Sequence, residues 1–215
     1  MTAEDQDKPE PQRRFSVEAA RQHANHAYRK SEFILSRCYG LFRDPKEEWR
    51  QIREEETAIP NILIGYVAPL AAIPPICDLI GSSLFNHLLQ VEPGQAIIRA
   101  VITWIVSVAL VGFLGILINV IAPNFDAEQN DLAAQKIAAY SMTPAFLSGV
   151  FSLLPWLWWV SLFALAAMVF LMYRGLPILM KAPEDRALGY AATVTIAAMA
   201  AGIVLFSLSS CITTR

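Results

Sequence analysis

The sequence predicts an all-α fold: a polytopic membrane helix bundle of five transmembrane helices behind a short N-terminal cytoplasmic helical head. Two observations lead there. Of 215 residues, 55% are hydrophobic and 17% charged, with mean hydropathy +0.41, too apolar for a water-soluble domain of this length. Charge is also segregated, because 23 of the 36 charged residues precede position 59 and only 13 fall in the remaining 157. The spans are helices because hydrocarbon offers backbone amides no partners, and the apolar runs lack the alternation of a barrel strand.

The head comes first. Residues 1–14 lack aromatic and β-branched residues apart from Thr2 and carry Pro9 and Pro11, so they bury too little surface to offset ordering entropy and read as a disordered tail. The acidic start lacks the basic region and apolar core of a cleavable signal. Residues 15–58 form a helical, interfacial head. From 15 to 42, Tyr28, Phe33, Ile34, Cys38 and Leu41 lie among Arg29, Lys30, Arg37 and Arg43. Such a helix rests on the anionic inner leaflet, packs under the bundle, or docks a partner protein. Asp44 then reads as an N-cap, with Pro45 at the first helical position and Glu47 and Glu48 in the first turn. Trp49 and Ile52 share a face, which places Trp49 as an interfacial anchor among the lipid headgroups.

A hydrocarbon core of about 30 Å takes about 20 apolar helical residues. The charge-free runs accordingly give spans at 59–82, 97–122, 134–153, 155–173 and 187–210, together a transmembrane domain over 59–210, with 211–215 as an outer C-terminal tail. Residues 137–173 form one run that would be roughly 55 Å long as a single helix, more than tilt absorbs. It must reverse, and Pro155 suits the first turn of a new helix. The first span carries Pro60, Pro69, Pro74 and Pro75 and should kink at the Pro74-Pro75 pair. The third carries Thr143-Pro144.

Lys and Arg set the orientation. With the N-terminus cytoplasmic and the C-terminus outside, 15 basic residues lie inside, and only Arg99 and Arg215 outside. Trp156, Trp158 and Trp159 then fall at the outer edge, Tyr173 and Tyr190 at the inner.

The pattern Leu41-Phe42-x-Asp44-Pro45-x-x-x-Trp49-x-x-Ile52-x-Glu54, followed by a proline-rich first span, resembles the bacterial branch of the Yip family, the Ypt/Rab-interacting integral membrane proteins. Lys136-Ile-Ala-Ala-Tyr140-Ser141-Met142-Thr143-Pro144 is similar to that family's tyrosine and Thr-Pro stretch. Tyr173-Arg174-Gly175-Leu176 with Lys181-Ala182-Pro183 is similar to its turn between the fourth and fifth spans. The resemblance covers about residues 41–210. It implies a non-enzymatic protein of the bacterial inner membrane. Its eukaryotic relatives bind Rab-type GTPases and act in vesicle traffic and membrane shaping.

The residues themselves point to a few functional candidates. Asp78 is an ionisable group inside a span, which marks either a polar pathway or a structural charge. Its place near the outer end of the first span suggests an anchoring pair with Arg99 at the start of the second. Tyr140, Thr143 and Pro144 are candidate polar or kink residues, because broken helices line transporter sites. These features support two readings: a protein-interaction or membrane-organising module, and a small transporter or channel with a polar pathway near Asp78. An intramembrane enzyme ranks behind both, since the buried runs offer chiefly Ser, Thr and Tyr. The partners implied are the lipid bilayer and another membrane or cytoplasmic protein. Ala197-x-x-x-Ala201 and Ala198-x-x-x-Gly202 allow close helix packing, within one chain or across a homo-oligomer seam. Neither part of the chain has the basic excess that nucleic acid demands. Cys38, Cys77 and Cys211 share no CxxC spacing, and His23 and His26 are two ligands at most, so no metal or cofactor is expected.

Overall fold

The computed structural model describes residues 32–84, 93–157 and 159–213, and every regular element among them is helical. The expected tail 1–14, the head up to residue 31 with His23 and His26, residues 85–92, Trp158 and the last two residues lie outside the described residues. The chain divides into two compact units, Met1–Gly40 and Leu41–Arg215. The described part of the first is helical, within α1 (32–43); the Ser36 hydroxyl donates to the Phe33 carbonyl, and the Arg37 guanidinium lies 5.1 Å from the Phe33 ring centre.

In the second unit α2 (Pro45–Glu54) starts as its sequence demands. The Asp44 carboxylate accepts from the Glu47 amide at 3.2 Å, and Pro45 occupies the first turn. The first long apolar stretch follows in pieces: α3 (Ile59–Ile62), a π-helical turn (Leu63–Val67), α4 (Ala68–Ala71) and α5 (Ile73–Leu84). Prolines explain the punctuation. The Pro69 ring would press on the carbonyl of Gly65 in a regular α-helix, and the wider π turn relieves that contact. The helix breaks again at Ala72, just ahead of Pro74 and Pro75. The Ala68 carbonyl freed there is taken by the Trp104 indole N–H at 2.8 Å.

α6 (Pro93–Ile121) runs into a 3₁₀ turn (Ala122–Phe125) that ends with Asp126 at φ 53°. α7 (Asp131–Ser141) is capped by Asn130, whose side chain accepts from the Ala133 amide at 2.9 Å. It stops at Met142, before Pro144; α8 (Thr143–Ser148) and the 3₁₀ turns Gly149–Leu153 and Pro155–Leu157 follow. α9 (Val160–Met180) ends at Lys181, φ 51°, and α10 (Glu184–Thr213) closes the chain.

Among the described residues, four helices are long and apolar enough to cross a membrane: Ile59–Gly81, Gly94–Phe125, Val160–Met180 and Glu184–Val204. They correspond to the first, second, fourth and fifth expected spans. Expected span 134–153 is instead built of short pieces, α7, α8 and a 3₁₀ turn. The fourth begins five residues later than expected and extends to Met180, because Arg174 does not end it: its guanidinium stays exposed and lies 5.5 Å from the Phe170 ring centre.

α7 is the core of the unit. Every residue from Ala133 to Ser141 is buried, and Ala133, Ala134, Ala138 and Ala139 let its neighbours approach closely. The long helices around it turn apolar side chains outward, among them Ile105, Ile116, Phe163, Ile196 and Ile203. The break between α7 and α8 is thus enclosed by protein, as lipid requires of irregular backbone.

Candidate functional site

Two places gather polar groups inside the apolar unit. The first lies where α2, the π turn, α7 and α9 meet. Trp49 is fully buried; its indole lies against Gly175 of α9, where an added Cβ would come within 2.8 Å of Trp49 Cε2. It meets Tyr140 edge to face at 6.3 Å, and Tyr140 in turn lies 4.6 Å from Tyr66. The Tyr66 hydroxyl and Thr143 Oγ1 are 2.8 Å apart, and Thr143 Oγ1 also bonds the Tyr140 carbonyl at 2.7 Å. That second bond adds a side-chain donor at a carbonyl of the α7–α8 break, where the Met142 amide also donates. Lys136 is 3% exposed, and its Nζ donates to the Ile52 and Glu55 carbonyls, each at 2.6 Å. An ammonium group here satisfies two C-terminal carbonyls of α2 and meets the negative end of its dipole. The Trp49 indole N–H and the Ser141 hydroxyl are buried without a hydrogen-bond partner among the described residues.

This corrects the anchor assigned to Trp49. The face shared by Trp49 and Ile52 is turned into protein, because Gly175 leaves a flat seat for the indole, and lipid headgroups do not reach it. Of the expected functional residues, the structure brings Tyr140, Thr143 and Pro144 together and buries all three. Tyr66 and Lys136 complete the cluster; Tyr66 was not singled out from the sequence, and Lys136 was quoted only within the family-like stretch, with no role of its own. The signals were present: a tyrosine amid four prolines, and a lysine between Gln135 and Ile137 in an alanine-rich run.

The second place is an open groove of about 740 Å³ between α5, α8 with its 3₁₀ extension, and α9, lined by Asp78, Ser148, Ser152 and Ser161 with apolar walls such as Pro74 and Leu162. Asp78 faces it because Pro74, Asp78 and Gly81 fall on one side of α5. An added Cβ on Gly149 would meet Pro74 at 2.6 Å, and one on Gly81 would meet the Ser152 carbonyl at 3.0 Å. Both Asp78 and Arg99 are exposed, and no ion pair joins them among the described residues. The expected Asp78–Arg99 anchor is therefore replaced by a carboxylate facing the 3₁₀ segment.

The end of the unit formed by the α6–α7 and α9–α10 connections is tied differently. Asn119 binds the Asp131 carboxylate at 2.5 Å and accepts from the Asn130 amide at 2.8 Å. Tyr190 stacks on Phe125 at 4.9 Å and donates to the Ile118 carbonyl. The Glu128 amide reaches the Met180 carbonyl at 2.8 Å.

With this geometry in view, the comparisons with known proteins are decisive for ancestry. The Yip1 domain matches residues 39–206. The chain belongs to the Yip1 family. Inner membrane protein YohC of Escherichia coli strain K12, and its counterpart in strain O6:H1, are each 27% identical over 168 residues, 74% of this chain and 86% of the relative. No solved structure matches. The buried cluster and the groove at Asp78 both fall within the Yip1 domain, as does every long apolar helix in whole or in its larger part. The chain is a Yip1-family membrane protein.

Proposed function

We propose that this Yip1 protein is a non-catalytic, membrane-organising and protein-interacting module of the bacterial inner membrane. It crosses the bilayer five times, with the N-terminus cytoplasmic and the C-terminus outside. The observation that carries the non-catalytic reading is how the buried polar groups are used. Lys136, Thr143 and Tyr190 each bond a backbone carbonyl, as does Gln135, whose Nε2 reaches the Val111 carbonyl at 3.2 Å. Such bonds hold helices together; they do not pair a nucleophile with a base.

The broken segment supports a fifth crossing. Its start, Asp131, is tied to Asn119 near the end of α6, while its 3₁₀ turn lies against Gly81 near the end of the first apolar stretch. α6 begins where that stretch ends, so these two contacts lie at opposite ends of the unit. The location draws on the names of the E. coli relatives, and the orientation on the basic residues at the Asn119 end. Outward-facing Ile196, Ile203 and Phe163 offer surface to lipid, to another membrane protein or to a second copy.

The groove at Asp78 favours one further reading, a small transporter or channel. Against it stands the use of the deeper polar groups, since the Tyr66 and Thr143 hydroxyls are committed to each other and to the Tyr140 carbonyl. The two readings separate in vesicles and in cells. The purified chain in proteoliposomes should leak ions and small solutes no faster than empty vesicles, and photo-crosslinkers at Phe163, Ile196 or Ile203 should trap discrete protein adducts. A specific flux abolished by Asp78→Asn, or lipid adducts alone at all three positions, would overturn the module reading.

A further inference from the structure

The groove at Asp78 has a definite chemistry. Asp78 has no hydrogen bond or ion pair among the described residues, and its carboxylate only accepts. Ser148 and Ser152 donate their protons to the Ala145 and Gly149 carbonyls, each at 2.8 Å, and so turn lone pairs to their surroundings. A ligand that suits these groups is a cation rich in N–H donors. The groove is also much larger than a small ion, at about 740 Å³, and its walls are apolar. Beside it lies a second pocket of about 270 Å³ between α6, α9 and α10. Thr195 there donates to the Ala191 carbonyl at 2.7 Å, and the remaining lining is apolar. Ala145 and Leu165 line both pockets.

We infer that the pair of pockets binds a membrane lipid with a protonated primary amine headgroup, the ammonium at Asp78 and an acyl chain passing Ala145 and Leu165 into the apolar pocket. Depth agrees with this. Asp78 lies in the last turn of the apolar stretch Ile59–Gly81, and Trp156 and Trp159, 61% and 47% exposed, lie in the segment that leads from the 3₁₀ turns into α9, as aromatic rings do at headgroup level. The floor is fixed by the Gly149–Pro74 and Gly81–Ser152 approaches, so the polar groups are held in place before a ligand arrives. An anionic lipid would set phosphate against carboxylate, and a free amine would leave the apolar pocket unused. The inference rests on the membrane placement and not on the organising role, so its failure would leave that role standing.

Native mass spectrometry of the full-length chain in detergent tests it. The chain is offered equal amounts of phosphatidylethanolamine and phosphatidylglycerol with identical acyl chains. The amine lipid should be retained roughly tenfold more than the anionic one, the scale of a charge-assisted hydrogen bond. Asp78→Asn should bring that ratio near one, and Asp78→Glu should keep most of it. Phosphatidylcholine, cationic at its head but without N–H donors, should be held less well than phosphatidylethanolamine by the unaltered chain, a comparison independent of any variant's folding. Soluble ethanolamine at the lipid's concentration should not displace it. Equal retention of the two lipids, undiminished preference in a folded Asp78→Asn variant, phosphatidylcholine held as well as phosphatidylethanolamine, or displacement by ethanolamine would each overturn the inference.

Discussion

Gly175 and Lys136 decide where α2 sits. A methyl group at 175 would press on a fully buried indole. Gly175→Ala should therefore destabilise the chain by about 1–3 kcal/mol, read as a lower melting temperature in detergent. Trp49→Phe in the same chain should recover part of that loss, and additive effects of the two substitutions would show that the indole does not occupy this seat. Lys136→Met keeps the volume but removes the ammonium donor from two carbonyls at the end of α2, a cost of about 1–3 kcal/mol. Its specific consequence is faster trypsin cleavage after Arg53 with the rest of the chain unaffected; unchanged cleavage would show that the ammonium does not hold α2. Both residues stand in the stretches that resemble the family, but their contacts with α2 were not legible there. An amphipathic helix bearing Trp49 and Ile52 fits a bilayer surface as well as a protein seat, and what separates the two is Gly175, more than a hundred residues away. Asp78 was legible as a charge that needs an explanation, but its direction depends on which side of α5 the 3₁₀ segment packs.

At the level of elements, the prolines were legible. Pro69, Pro74 and Pro144 stand where helix geometry changes, because the ring lacks an amide and crowds the preceding turn, whereas α9 runs on through Pro177. The four long helices were equally plain from charge-free runs. What composition could not give was the interior place of α7, the element with the weakest span signal; its alanines and its lysine make sense only once the perimeter helices enclose it. The polar ties of these elements differ in worth. Arg186–Asp126 and Lys181–Glu128 are exposed pairs, so Arg186→Ala should change stability by no more than about 1 kcal/mol. Tyr190→Phe leaves the Ile118 carbonyl without its donor in a buried place and should cost about 1–3 kcal/mol. Thermal unfolding of the two variants side by side checks the order, and a larger loss for Arg186→Ala would reverse the assignment of which contact joins α10 to α6.

For the whole molecule, the account depends on the route of residues 131–157. If that broken segment passes from the Asn119 end to the Gly81 end, α9 and α10 complete an odd number of passes and the chain's two ends face different compartments. If it folds back within one leaflet, the number becomes even. Single cysteines placed at Thr2 and Thr214 in a chain lacking Cys38, Cys77 and Cys211, labelled in intact cells with a membrane-impermeant maleimide, decide between these routes most directly. The account predicts labelling at 214 in intact cells and at 2 only after the membrane is opened; labelling of both, or of neither, before it is opened would contradict five crossings.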